Sequence, residues 1–282
     1  MKISNIVNRA IVFAHFNKND EIDDYVLYYL KELNKNCRTL IFVSTSNIVD
    51  PSRKITLSNL VTEVIIRNNI GYDFYSYKTG FDYILNSGEI YDELIFINDS
   101  CIGPLFPLSD LFYDMSIRCN DFWGITQNSG HIQSYFMAFS KSVVSSQNFI
   151  NFWSNFSVYT TKPEVILNGE IKLTQILAAS GFNYSVYTKS IENNLRTTIL
   201  KFIRILLNHL KGNKIFGISS LLFTKNELFD NTSLFWDELI KKKMPFLKKS
   251  VLRRNDISLK KVKKNLIKYS KYPTNNIDNI TI

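Results

Sequence analysis

Four short apolar runs in the first hundred positions predict four buried β-strands. Each run has three or four consecutive apolar residues, which is typical of a strand covered on both faces. Each run also ends in polar residues, such as Asn98-Asp99-Ser100 after the fourth. Parallel strands bring their carboxyl ends to one edge of a sheet, so these polar ends are expected to meet in a cleft. The runs cover residues 11–14, 40–43, 64–66 and 94–97.

Apolar residues at helical spacing separate these runs and predict intervening helices. One helix begins near Asp23, and another follows Gly71 and extends to about Asn86. Strands that alternate with helices indicate an α/β fold with a mostly parallel sheet.

The alternation becomes looser after residue 108. Two strands are predicted at 122–125 and 135–139, and a third at 184–187. Helices are predicted at 143–156 and 196–211, and a further helix opens at 168–170 and ends at Gly181. The end of the chain, 273–282, is predicted to be disordered.

The charge of the chain is concentrated in its last third. The net charge of +9 divides into −3 for residues 1–190, with 15 Lys and Arg against 18 Asp and Glu, and +12 for residues 191–282, with 19 against 7. No apolar run reaches the roughly 18 residues needed to span a bilayer, and the first residues lack the pattern of a signal peptide. Three cysteines without metal-like spacing favour reduced thiols. A cytoplasmic protein is therefore expected.

Two carboxylates stand out as candidates for chemistry. Asp99 follows the fourth buried strand, where it either caps a turn or contacts a ligand. Asp73 lies at the start of a helix after Gly71, where it either caps the helix or accepts hydrogen bonds from a nucleotide. The residues by themselves leave both pairs of alternatives open.

Several stretches, in order, resemble the rhamnan synthesis protein F family. They are GYDFYSYKTG at 71–80, YDELIFINDS at 91–100, GPLFPL at 103–108, HIQSYFM at 131–137 and EIKLT at 170–174, with FWDELI at 235–240 and PFLK at 245–248 in the last third. The resemblance extends over about residues 15–255.

This resemblance implies an enzyme, an inverting glycosyltransferase with a GT-A-like fold. Such a fold is Rossmann-like, with a mostly parallel central sheet flanked by helices. The expected reaction transfers a sugar, L-rhamnose from dTDP-L-rhamnose, to a growing bacterial cell-surface polysaccharide. The expected domains are a nucleotide-sugar-binding and catalytic domain over 1–190 and a basic, mainly helical extension over 191–282.

The same resemblance implies where the nucleotide diphosphate-sugar donor binds. Asp99 would hold the diphosphate, with Mg²⁺ or Mn²⁺ as a possible cofactor. Related enzymes usually carry two carboxylates in an Asp-x-Asp motif, whereas this chain has one, so Lys78, Arg67 or a basic residue of the last third is the alternative counter-charge. The expected nucleotide-sugar-binding residues are His15, Asn69, Gly71, Asp73, Lys78, Asn98, Asp99 and Ser100.

Glu170 is the expected catalytic base, because it lies where related enzymes carry an acidic pair that opens a helix. The alternative is an acidic residue that only stabilises the first helical turn. His131 is a second expected catalytic residue, or else a buried core histidine. His131, Gln133 and Tyr135 are expected to alternate along one strand and to share a face. The expected acceptor-binding residues are Trp123, Gln133 and Tyr135, and Trp123 is alternatively a core residue.

The basic last third has three interpretations. It forms a solvated charged face, binds nucleic acid or docks on an anionic membrane surface. Nucleic acid is disfavoured because no interleaved aromatics or known module are evident. Docking would bring the protein to the inner face of the plasma membrane and to a glycan or lipid-linked glycan acceptor. The alternatives for function are another donor sugar, a phosphosugar transferase, or an inactive module that binds a glycan or a partner.

Overall fold

A computed structural model describes residues 7–128, 130–188, 203, 231–254 and 257–281. The strands are β1 (Arg9–His15), β2 (Thr39–Ser44), β3 (Glu63–Ile66), β4 (Glu93–Asn98), β5 (Cys101–Ile102), β6 (Phe122–Gly124), β7 (Gln127–Asn128), β8 (His131–Ile132), β9 (Phe136–Ser140), β10 (Tyr184–Val186) and β11 (Leu247–Lys248).

Helices connect these strands and follow them. They are α1 (Asp24–Asn34), α2 (Pro51–Ser58), α3 (Tyr72–Ser87), α4 (Leu108–Ser116), α5 (Lys141–Val144), α6 (Gln147–Ser154), α7 (Lys162–Val165), α8 (Lys172–Ala179), α9 (Asn231–Leu234), α10 (Trp236–Lys241) and α11 (Leu259–Tyr269). A π-helical turn, Ile166–Ile171, joins α7 to α8, and short 3₁₀ turns lie at Lys249–Val251 and Thr274–Ile277.

Seven strands form the central sheet, in the order β10-β6-β9-β4-β1-β2-β3. Strand β9 is antiparallel to both of its neighbours, β4 and β6, and the other pairings are parallel. The four strands predicted from the first apolar runs are β1 to β4. The predicted α/β fold, with its mostly parallel central sheet and flanking helices, is confirmed.

Alternate side chains of the strands are buried in two separate cores, one on each face of the sheet. Ile11 and Phe13 of β1 pack on one face with residues of α1 and α4, whereas Val12 packs on the other face with residues of α3, α6 and α8. This alternation follows from the two-residue period of a strand. We call the first face the α1 face and the second the α3 face.

The described part of the last third packs on the α1 face. Strand β11 pairs antiparallel with β5, and Phe246 contacts the rings of Tyr29 and Phe136. Trp236 and Val262 are buried in the same core. The boundary near residue 190 stays a prediction, because it adjoins residues 189–230, of which the structure describes only Ile203.

The predicted disorder of 273–282 is wrong for the part that the structure describes. Thr274–Ile277 forms a 3₁₀ turn, and Ile277 is buried. Thr281 donates its backbone N–H and its hydroxyl to Asp23, each over 3.3 Å. The pattern failed here because the two apolar residues that contact the core, Ile277 and Ile280, are isolated within a polar stretch.

The predicted helix at 196–211 lies outside the described residues, apart from Ile203, which is helical. Among the helices that are described, none combines the length and the apolar character that crossing a membrane requires.

Candidate functional site

Polar residues meet at the carboxyl edge of the sheet, as the strand pattern predicts. In the register of the parallel strands, Ala14 lies beside Asn98, and His15 lies beside Ser44. Strand β9 runs in the opposite direction and begins beside the end of β4, with Phe136 opposite Ile97. The chain entering β9, which includes Ser134, therefore reaches the same edge.

The loop before α3 fixes Asp73 at this edge. Gly71 and Tyr72 both have a left-handed backbone, with φ of 71° and 55°. A Cβ atom on Gly71 would lie 2.7 Å from Cβ of Tyr75, so glycine is required for the turn as well as for the space. The loop thus brings Asp73 into the first turn of α3.

Arg67 holds this loop from inside. Its guanidinium donates to the carbonyls of Asn68, Ile70 and Tyr72 at 2.6–2.8 Å and to the hydroxyl of Ser76 at 2.8 and 3.0 Å. Partial burial lowers the pKa of Arg67 to about 10. Because its N–H donors are engaged in the loop, Arg67 is suited to holding Asp73 in place and is poorly suited to neutralising a diphosphate.

Asp73 lies among polar side chains from three other elements. The Nδ2 of Asn98 donates to its Oδ2 over 2.6 Å, and the hydroxyl of Ser134 lies 3.4 Å from the same oxygen. Burial and the nearby charge of Glu170 raise the pKa of Asp73 to about 6. Asp73 is therefore partly protonated near neutral pH.

Glu170 is held by two side chains and lies in the π-helical turn between α7 and α8. The hydroxyl of Ser134 donates to its Oε1 over 2.6 Å, and the Nε2 of His131 lies 3.4 Å from its Oε2. Wide helical turns of this kind occur frequently at functional sites. We call Asp73, Asn98, His131, Ser134 and Glu170 the carboxylate cluster.

The expectation that Glu170 stands at the opening of a helix is wrong. The helical stretch begins at Lys162, where Thr161 and Glu164 form a reciprocal capping box. Glu170 therefore lies two turns inside the stretch, and first-turn stabilisation does not explain it.

Asp99 lies on the opposite face of the sheet from Asn98. The hydroxyl of Tyr25 donates to the Asp99 carbonyl over 2.9 Å and lies 3.4 Å from its Oδ2. The Lys249 ammonium lies 3.6 Å from the same Oδ2 and donates to the Tyr25 hydroxyl over 2.7 Å. We call this arrangement the Asp99–Lys249 pair.

His15 lies near this pair but carries no charge of its own. Its Nδ1 lies 3.0 Å from the hydroxyl of Ser44, and its ring is buried against Phe42. Burial lowers the pKa of His15 to about 4, with a smaller opposing effect from Asp99. The ring is neutral at neutral pH and is suited to hydrogen bonding.

The other predicted donor-site residues are distributed unevenly. The hydroxyl of Ser100 donates to Asn98 over 2.5 Å and so adjoins the carboxylate cluster. Lys78 pairs with Asp82 one turn along α3 at 3.1 Å, and Asn69 is exposed on the loop that Arg67 holds. Ser100 is therefore hydrogen-bonded to the cluster. Among the described contacts, none connects Lys78 or Asn69 to the cluster.

The prediction that His131, Gln133 and Tyr135 share one strand is wrong. Strand β8 ends at Ile132, and a turn at residues 134–135 precedes β9. Gln133 and Tyr135 both bond the Thr126 hydroxyl at 2.7 Å, whereas His131 faces Glu170. Only His131 of the three therefore joins the carboxylate cluster.

Trp123 is a core residue, which was the alternative to its predicted role in acceptor binding. Its side chain is 5% exposed, and its Nε1 donates to Glu93 over 3.0 Å. Glu93 begins β4, so the indole is directed toward the end of the sheet opposite the carboxylate cluster.

Ser134, Tyr25 and Lys249 complete the site. The sequence analysis did not single out any of the three, although it named a basic residue of the last third as an alternative counter-charge. Ser134 bridges both carboxylates of the cluster, but a lone serine before a strand has no distinguishing pattern. Lys249 is one of many basic residues in the last third. The signal that could have identified it is the apolar stretch before it, residues 244–247, which predicts a buried anchor.

The residues around Asp99 fit a divalent metal ion poorly. A metal site of this kind needs free oxygen ligands, whereas the Asp99 carboxylate already faces an ammonium group. Within the described part of the chain, no group of three His, Cys, Asp or Glu residues is placed to hold a metal ion.

A separate cavity of about 350 Å³ opens beside α4. Its lining includes Phe106, Asp110, Tyr113, Tyr187 and Lys243. None of the predicted site residues contributes to this lining, so the cavity is distinct from the carboxylate cluster.

Solved structures share only a general likeness with the chain. A cytidylyltransferase from Leptospira borgpetersenii is 13% identical, with a TM-score of 0.40, over 85% of this chain and 97% of that one. Glucosyl-3-phosphoglycerate synthase from Mycobacterium tuberculosis, solved with Mn²⁺ and UDP, is 13% identical, with a TM-score of 0.35, over 49% and 58%.

Sequence comparison is more specific. Virulence protein VirA of Vibrio anguillarum is 34% identical over 200 residues, which are 68% of this chain and 62% of that protein. The chain thus spans less than two thirds of the length of this relative. The rhamnan synthesis protein F family matches residues 40–210, which is more than half of the chain and includes all five residues of the carboxylate cluster. The chain belongs to the rhamnan synthesis protein F family.

Proposed function

We propose that this protein is an inverting glycosyltransferase that uses a nucleotide diphosphate-sugar donor. The observation that carries the proposal is Glu170, oriented by Ser134 and His131 at the sheet edge where Asp99 and Lys249 also lie. A carboxylate base and a separate charged site are the two features that sugar transfer from a diphosphate requires.

The reaction forms one bond and breaks one bond at the anomeric carbon of the donor. The acceptor hydroxyl oxygen attacks this carbon from the face opposite the diphosphate. The bond from the carbon to the diphosphate oxygen breaks, and its electron pair leaves with the nucleoside diphosphate. The hydroxyl proton passes to Glu170. Attack from the opposite face inverts the configuration of the sugar.

The contacts of Glu170 suit it to this role. Each of its two oxygens faces one side chain, Ser134 or His131, and each keeps capacity for a further hydrogen bond. The carboxylate is therefore fixed in orientation while it remains able to accept the acceptor proton.

The carboxylate cluster and its surroundings would also bind the donor. Asp73 and Asn98 are joined by a hydrogen bond, and Ser100 extends this network. In the proposal these three residues, with Asn69, Gly71 and neutral His15, contact the nucleoside and sugar hydroxyls. The proposed donor is dTDP-L-rhamnose, because the family is described by rhamnan synthesis. The proposed acceptor is a growing cell-surface glycan, free or lipid-linked.

A donor-hydrolysis assay tests this function without knowledge of the acceptor. The protein is incubated with dTDP-L-rhamnose, UDP-glucose or GDP-mannose, water takes the place of the acceptor, and the released sugar is followed by NMR. We expect dTDP-L-rhamnose to be consumed fastest and the first sugar released to have the inverted anomeric configuration. Retained configuration would contradict the mechanism, and preference for another donor would contradict the assignment of rhamnose.

Calorimetry with dTDP, UDP and GDP separates the enzyme from an inactive module. We expect at least one of these nucleotides to bind. If none binds, the glycosyltransferase proposal is wrong, and a module that binds a glycan or a partner becomes the better interpretation.

Helix α11 is the described surface that supports docking on an anionic membrane. Its Val262 and Leu266 are buried, whereas Lys260, Lys264 and Ile267 are exposed at helical spacing on the other side. Lysines around an exposed apolar residue suit an anionic surface, which would bring the protein close to a lipid-linked acceptor.

A further inference from the structure

Lys249 is the residue of the last third that reaches the carboxyl edge beside Asp99. Its side chain is 12% exposed, and that of Asp99 is 16% exposed. The pair is therefore partly shielded from water, but a ligand can still reach it. A charge in such a place acts more strongly than one on an open surface.

The backbone holds Lys249 firmly in this position. Its N–H donates to the carbonyl of Ser100 over 2.9 Å, directly after the pairing of Lys248 with Cys101. Phe246 and Val251 are buried on either side of it. Anchors before and after the lysine fix the point from which its side chain extends.

The ammonium group retains donor capacity. It has three N–H groups, and one donates to the Tyr25 hydroxyl over 2.7 Å. Its distance of 3.6 Å from Asp99 exceeds that of a good hydrogen bond. A diphosphate oxygen beside the pair could therefore accept a hydrogen bond from the Lys249 ammonium. Asp99 holds this ammonium in place but does not take up all of its N–H groups.

The single carboxylate of the Asn98-Asp99-Ser100 turn is consistent with this arrangement. A divalent metal at Asp99 would have to lie beside the Lys249 ammonium, and the two cations would repel each other. In contrast, a lysine needs only one carboxylate to orient it.

We infer that Lys249 supplies the positive charge that neutralises the leaving diphosphate and that Asp99 positions this lysine instead of ligating a metal ion. The inference rests on the proposed function and assigns the charge at the same site. Nucleotide binding then proceeds without Mg²⁺ or Mn²⁺.

Titration calorimetry with dTDP, UDP and GDP tests this inference, each in EDTA and in Mn²⁺. We expect the protein to bind its preferred nucleotide in EDTA, with a Kd that Mn²⁺ changes by less than about threefold. Lys249→Ala should weaken this binding roughly 10- to 100-fold, because a charged hydrogen bond is lost. Lys249→Arg, which keeps the charge, should weaken it less.

Lys242→Ala is the matched control, since it removes one positive charge from an exposed position of the last third, directly after α10. It should bind nucleotide as the unchanged protein does. Circular dichroism checks that each variant folds. If Lys249→Ala does not fold, Lys249→Gln, which removes the charge but keeps most of the side-chain length and an amide donor, replaces it.

The outcomes separate this inference from the proposed function. Binding that appears only with Mn²⁺, or a Lys249→Ala variant that binds normally in EDTA, overturns the role of Lys249 and leaves the glycosyltransferase proposal standing. Absence of nucleotide binding under both conditions overturns the proposed function and the inference together.

Discussion

Two neighbouring residues at the end of β4 belong to two different charged sites. Asn98 joins Asp73 on the α3 face, whereas Asp99 joins Tyr25 and Lys249 on the α1 face. Successive residues of a strand point to opposite faces, so one strand end supplies both sites. The carboxylate cluster lies wholly within the range that the family matches, but Lys249 lies outside it.

The two sites differ in the charges that surround their carboxylates. In the carboxylate cluster, the charge of Glu170 helps to raise the pKa of Asp73 to about 6, so the site favours accepting a proton. In the Asp99–Lys249 pair, an ammonium group balances the carboxylate. The contrast suggests a division in which one site takes up a proton and the other meets an anion.

Glu170→Gln gives the largest expected effect and acts on one site only. Glutamine has nearly the same shape but does not accept the acceptor proton, so turnover should fall by roughly 10²- to 10⁴-fold. Nucleotide binding, measured by calorimetry, should remain within about threefold, because the Asp99–Lys249 pair is unchanged. Steady-state donor consumption measures the loss of turnover.

A matched control for this variant is Glu164→Gln, which lies in α7 and caps that helix through Thr161. It should lose some stability but keep most of the turnover. Full turnover of Glu170→Gln would show that Glu170 is not the base. An equal loss of nucleotide affinity would show that the two sites do not act separately.

Asp73→Asn tests the electrostatics of the carboxylate cluster with a smaller effect. The pKa of Asp73 is about 6 in the folded protein, against an ordinary value of 3.8. An acid whose pKa is raised on folding destabilises the fold when it ionises, so this contribution is absent below pH 4 and complete above about pH 6. The variant should gain about 2 kcal/mol over the unchanged protein between pH 4 and pH 7.

Chemical denaturation from pH 4 to pH 8 measures this difference. Asp82→Asn is the control, since Asp82 lies on the same helix, forms an ion pair with Lys78 and is itself about half exposed. Its difference from the unchanged protein should not follow the same pH window. A pH-independent difference for Asp73→Asn would mean that burial and Glu170 do not raise the pKa of Asp73.

The sequence predicted the sheet edge well because the strands are local. Residues 11–14, 40–43, 64–66 and 94–97 are apolar runs that need no distant partner to be recognised, and polar residues follow each run. Asp99 could be selected as the single carboxylate of the Asn98-Asp99-Ser100 turn, and Glu170 as the single carboxylate of the EIKLT motif. Whether either was ligand-binding or structural could not be decided from those motifs.

The parts of the site that the sequence did not predict depend on contacts between residues far apart in the chain. Lys249 reaches Asp99 across 150 positions through a two-residue strand, which has no recognisable pattern of its own. Ser134 lies in a turn that interrupts what resembles one alternating strand. The π-helical turn at Glu170 depends on packing, because Gly169 lies against the ring of Phe74. Tertiary packing determines these features.

Lys264→Ala gives the smallest expected effect and sharpens the contrast between a lysine in the cleft and lysines on the surface. Lys264 is exposed four residues after Lys260, so its removal relieves repulsion between like charges and should change stability by less than about 0.5 kcal/mol. On vesicles with anionic lipid, loss of one lysine should lower affinity about fivefold, since each contributes roughly 1 kcal/mol near the surface. Vesicle sedimentation measures this change, with Lys264→Arg and neutral phosphatidylcholine vesicles as controls. An equal loss on neutral vesicles would mean that the contribution of Lys264 does not depend on anionic lipid. No loss on anionic vesicles would mean that α11 is only a solvated face, which would leave Lys249 as the residue of the last third whose positive charge has a proposed role.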